Sequence, residues 1–167
     1  MKKISILLFT AALIFISCDD NKKNMTNQFD ILMKESDSIE VAHTKFADTH
    51  KQMVNEHNAF SEELNGMELQ DSTILDDVAK HGVMLERHDA ILMSHNEIMK
   101  SHSNLRAKFD NLSDVEKTAK IEEMEKGHDK MMREHATMKD EHDAMKTDYN
   151  TIREKISDTE ENKNDMK

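Results

Sequence analysis

Ten histidines fall on three seven-residue ladders: His43, His50 and His57; His81, His88, His95 and His102; His128, His135 and His142. Imidazole binds transition metals and titrates near neutral pH, so a periodic array of it can do chemistry. A spacing of seven returns a side chain to nearly the same face of an α-helix, which makes each ladder a helical stripe. The residues three places on are apolar: Phe46, Met53, Phe60, Met84, Ile91, Ile98, Leu105, Met131, Met138 and Met145. Many at plus four are apolar too, including Val54, Leu85, Leu92, Met99 and Met132. With histidine at heptad position a, these d and e residues flank it on both sides, so the imidazoles occupy the centre of the buried face.

Such a core is costly. An unpaired buried polar group costs about 1 to 3 kcal/mol, against a total stability of about 5 to 15 kcal/mol. Metal ions, a haem, axial water or a loosely packed bundle would compensate. The 14 methionines narrow this choice. Met124, His128, Met131, His135, Met138, His142 and Met145 alternate at intervals of four and three, forming one thioether and imidazole face. His50-Met53-His57, His81-Met84-His88 and His95-Met99-His102 repeat the element. Successive histidines lie about 10 Å apart along a helix, too far to share an ion. The binding unit is therefore a His/Met pair, or histidines converging from different helices, and His43 joins the candidate ligands on the same ground. Thioethers favour Cu(I) and Ag(I). Zinc is the weaker match: the plus-four residue after histidine is never Asp or Glu, so zinc would need ligands from several helices. Haem, held between paired histidines, comes last because ten even sites exceed what one cofactor needs.

The His-x-x-Met and Met-x-x-x-His elements, within His50 to His57, His81 to His102 and Met124 to Met145, resemble those of small periplasmic silver- and copper-binding proteins. The resemblance is one of motif and implies sequestration or buffering of soft metal ions. The strict heptad departs from that pattern, as do Ile91, Ile98 and Leu105 where methionine would stand at plus three. The contrasting reading is a metal-free coiled-coil spacer, scaffold or adhesin that responds to pH through its histidines.

Lys2 and Lys3 precede an apolar run from Ile4 to Ile16 and then Ser17-Cys18. This is a signal-peptide pattern, with an apolar stretch too short for a comfortable membrane span. Phe15-Ile16-Ser17-Cys18 resembles the lipobox of bacterial lipoproteins. That resemblance implies removal of residues 1–17, lipid attachment at Cys18 and a place in the cell envelope, outside the cytoplasm. Cys18 is the single cysteine, which excludes a disulfide within the chain. Losing Lys2 and Lys3 takes the formal charge from -11 to -13. An acidic chain with no Trp and one Tyr lacks both the basic footprint and the stacking platform of a nucleic-acid binder. No phosphate loop or nucleophile in a recognisable frame points to an enzyme.

The elements that must position the histidines follow from their phase. The ladder shifts between His57 and His81 and again between His102 and His128, and neither gap is a multiple of seven. Asn65-Gly66, Gln70-Asp71 and Ser72 predict one turn; Asn111 and a Ser113/Glu116 capping box predict another. There is no proline. The expected architecture is all-α: a flexible tether over 18–27, then a long antiparallel three-helix coiled coil over 28–157, with helices at about 28–65, 73–110 and 114–157, and a fraying polar tail over 158–167. Self-association through coiled-coil packing stays open.

Overall fold

The computed structural model describes residues 18–67 and 72–165. Three α-helices account for nearly all of them: α1 (Cys18–Asn65), α2 (Ser72–Arg106) and α3 (Asp114–Asp165). At 48, 35 and 52 residues they are about 72, 52 and 78 Å long. They pack antiparallel in an up-down-up bundle, as the phase shifts predict. Four successive contacts join α1 to α3 at a constant separation of 92 residues, so these two helices run parallel and in register. Their partners on α2 step backwards by seven, from His102 to His81, as an antiparallel helix between them must.

The helix ends differ from expectation in three places. Residues 18–27, expected as a flexible tether, are the first turns of α1. No proline or glycine interrupts them. Thr26 Oγ1 donates to the Lys22 carbonyl, and Met25 packs against the core, so the segment has both local bonds and a surface to bury. At the other end, α3 continues to Asp165 through the segment expected to fray, again with no breaker residue. Finally, α2 stops at Arg106 rather than near 110, and a 3-10 turn over Phe109–Asn111 follows. That turn swings Phe109, 1 % exposed, onto Phe29, with the rings stacked at 3.7 Å. The signal segment 1–17, the Gln70-Asp71 turn and the side chains of Cys18 and Ser72 lie outside the described residues. Among the described residues no helix is long and apolar enough to cross a membrane.

The described end of the first turn, and the second turn, use residues their sequences point to. After Asn65, Gly66 N–H and Met67 N–H donate to the carbonyls of Glu63 and Leu64. This is a tightening last turn, reached without a left-handed glycine. Before α3, the Ser113 N–H and hydroxyl both donate to Glu116 Oε2 (2.8 and 2.6 Å), and the Glu116 N–H donates back to Ser113 Oγ, completing a capping box.

Apolar packing concentrates at the two ends. Phe29, Leu32, Met33, Phe109, Ile121 and Met124 form one cluster. Phe60, Leu64, Ile74, Val78, Leu85 and Ile152 belong to the other, which Met53 and Met145 extend inward. Each such side chain contributes about 1.5 to 3 kcal/mol on burial. The histidine-lined length of the axis lies between the clusters, held shut from both sides.

Candidate metal centre

The heptads of α1, α2 and α3 bring their a positions to a common axis, where the ten histidines resolve into four layers. Ser36 meets His102 and His128; His43 meets His95 and His135; His50 meets His88 and His142; His57 and His81 meet Tyr149. The two inner layers are complete triads, one imidazole from each helix, and in each the three ligand atoms lie within 4.8 Å of one another. The outer layers keep two histidines and close with a hydroxyl. Ser36 Oγ lies 3.0 Å from His102 Nδ1 and 2.7 Å from His128 Nε2. Tyr149 Oη lies 2.8 Å from His57 Nδ1.

In the second triad, Nδ1 of His50 and Nδ1 of His88 each stand 3.1 Å from His142 Nε2. In the first, His135 Nε2 lies 3.1 Å from His43 Nδ1 and 3.3 Å from His95 Nδ1. An ion bound at about 2.0 to 2.1 Å by three imidazoles sets its nitrogens about 3.3 to 3.6 Å apart, close to these two contacts in each triad.

The outward nitrogens explain why the inward ones are available. His88 Nε2–H donates to Glu141, which Arg87 also holds. His50 Nε2–H donates to Asp89 Oδ1 at 3.0 Å. With those protons committed outward, both Nδ1 atoms present bare lone pairs to the axis. His142 can place its single proton on Nε2 and donate to one of the two, which leaves the other Nδ1 without a proton donor. Its own Nδ1 is buried and has no hydrogen-bond partner. A cation on the axis relieves that arrangement. In the first triad His95 Nε2–H donates to Glu134 at 2.7 Å, and Asn96 lies beside His43.

Burial, and then the neighbouring imidazoles, push His135 and His142 down to about 4. Burial followed by His128 does the same to His102. His43, His57, His88 and His128 are lowered as well, chiefly by burial. These rings are neutral at pH 7, the form that ligates a metal. Burial and then Glu56 raise the Tyr149 phenol to about 12.

The methionines occupy the layers between the histidines. Met53, Met124, Met131, Met138 and Met145 are buried; Met84 and Met99 are half-buried, and Met132 is exposed. Phe46 shares these layers, stacking on His135 at 5.2 Å and on His142 at 5.3 Å, and so separates the two triads. Of the two arrangements the sequence leaves open, the structure brings together histidines converging from three helices.

Several members of the site went unread in the sequence. Ser36 and Tyr149 continue the histidine heptads of α1 and α3 and could have been found by extending them. The carboxylates are also periodic. Glu134, Glu141 and Asp148 each precede an a position of α3 and bond the α2 histidine of the same layer. A search for carboxylates within one helix misses them because the clamp crosses between helices. Where glycine stands instead, the ring fills the space: a Cβ on Gly82 would lie 3.1 Å from His57 Nε2, and one on Gly127 3.5 Å from His102 Nε2. No family model, curated protein or solved structure matches the chain, so the reading of this centre rests on its own geometry.

Proposed function

We propose that the protein is a lipid-anchored envelope protein that holds soft transition-metal ions in its histidine triads, Cu(I) first and Ag(I) by the same chemistry, for sequestration or buffering. The observation that carries this reading is the pair of triads, in which ring nitrogens from three helices converge on the axis while carboxylates accept the outward protons of His50, His88 and His95. Three neutral imidazoles satisfy a monovalent d10 ion without a further ligand. The flanking layers of methionine, leucine and phenylalanine offer no oxygen donor, and their thioethers are soft neighbours. Zinc would have to recruit a fourth ligand. The anchor fits the same picture. With acyl chains on Cys18, α1 would carry the first triad about 38 Å from the attachment point, clear of the lipid headgroups. The reading is one of binding and assigns no catalysis.

A competition titration of chelator-stripped full-length protein against a chromophoric Cu(I) chelator tests this. The expected result is two tight equivalents, one lost in His135→Leu and the other in His142→Leu, with helicity by circular dichroism kept in both. Wild type that takes no Cu(I) from the chelator would overturn the proposal.

A further inference from the structure

The two triads present the same three imidazoles to the axis but differ one shell out. On α2 the residue after each triad histidine stands by the α1 histidine of the same layer: Asp89 bonds His50 in the second triad, and Asn96 lies beside His43 in the first. On α3 both triads carry a glutamate, Glu141 on His88 and Glu134 on His95. Each glutamate has one surface cation beside it, Arg87 or Lys130. Those contributions match between the layers. At the α2 position itself the two layers differ by a single charge, carried by Asp89 and absent at Asn96.

We infer that the triads discriminate ions by charge: both accept a monovalent ion, whereas only His50, His88 and His142 hold a divalent one tightly. This rests on the proposal that the triads bind metal. With a monovalent ion, the first triad with Glu134 and Lys130 carries a formal charge of about +1. With a divalent ion, the second triad with Asp89, Glu141 and Arg87 reaches the same formal charge of about +1, and a solvent ligand completes the four-coordination that zinc requires. In a partly buried site an uncompensated charge is what an ion of the wrong valence must bear. Outer partners of ligating histidines commonly change metal affinity by about 10- to 100-fold. Asp89 is 64 % exposed and screened by water, which places the expected effect near the lower figure.

The two positions can be exchanged without altering the shape of the site, because Asp89→Asn and Asn96→Asp both keep an oxygen acceptor for the imidazole N–H. Full-length protein, stripped of metal, would be titrated with Zn(II) against a chromophoric chelator, and in parallel with Cu(I). Wild type should bind one zinc tightly and a second about tenfold more weakly. Asp89→Asn should bring the tight site to the level of the weak one. Asn96→Asp should make both tight, and all three proteins should bind two Cu(I). Two equal zinc sites in wild type, or exchanges that leave zinc affinity unmoved while two Cu(I) still bind, would overturn the charge discrimination and leave the triads as metal sites. Failure of wild type to take up either metal would overturn both.

Discussion

Acid should unfold the metal-free protein in a window set by its buried imidazoles. His102, His135 and His142 are held at about 4, against an ordinary value of 6.5. A depressed histidine is neutral in the folded state and protonates more readily in the unfolded one. Its contribution is fully present above pH 6.5 and is lost progressively as pH falls from 6.5 towards 4, where the unfolded chain binds the extra protons. Each unit of differential protonation is about 1.4 kcal/mol. At pH 5.5 the three groups together remove about 4 kcal/mol, a large part of a typical total of about 5 to 15 kcal/mol. With a urea slope of roughly 2 kcal/mol per molar, the unfolding midpoint should fall by about 2 M between pH 7.5 and pH 5.5. The assay is urea denaturation of chelator-treated protein followed by circular dichroism at 222 nm. The carboxylates titrate mainly below this window, which separates the two effects. A midpoint that is unchanged or rises at pH 5.5 would refute the claim that these rings are buried in neutral form.

Three further outcomes are expected. Met138→Leu, which keeps core volume, should cost less than about 1.5 kcal/mol and leave two Cu(I) equivalents; loss of an equivalent in the same titration would make the thioether a ligand. Tyr149→Phe removes the hydroxyl bonded to His57 Nδ1 and should lower stability in urea by about 1 to 2 kcal/mol while both triads still load with Cu(I). Ser113→Ala opens the capping box of α3 and should cost about 1 kcal/mol, read as a drop of about 2 to 4 °C in thermal midpoint; no change would show that the turn is held by Phe109 alone.

The fold was legible because its signals are periodic. A histidine every seven residues marks a helix face, a break in phase marks a turn, and the Ser113/Glu116 pair appears as the capping box its spacing predicts. The helix ends were harder to read. A polar stretch such as Asn21 to Asn27 looks like a tether by composition, yet nothing in it stops a helix and Met25 has a cluster to pack on. The site was legible in its ligand types and not in its assembly. One helix read alone pairs histidine with methionine three or four residues on, because those are its neighbours on that helix. The rings that meet His142 come from α1 and α2, and which ones they are depends on the register fixed by the two turns. Asp89 and Glu141 were hidden for the same reason: each is an unremarkable surface acid until the helix beside it is in place.

The layered axis also constrains how such a chain can change by descent. Every layer is written in three distant places, as in His43, His95 and His135, and read in opposite directions along neighbouring helices. A seven-residue duplication in α1 alone would create no new triad; it would slide every later α1 ring past its partners on α2 and α3, setting histidine beside tyrosine or apolar side chains. A whole new layer needs three matched insertions, one per helix, and removal of a layer needs three matched deletions. Point substitutions face no such barrier. The number of layers is therefore set by the topology, whereas the character of each is free to drift through single residues, one layer at a time.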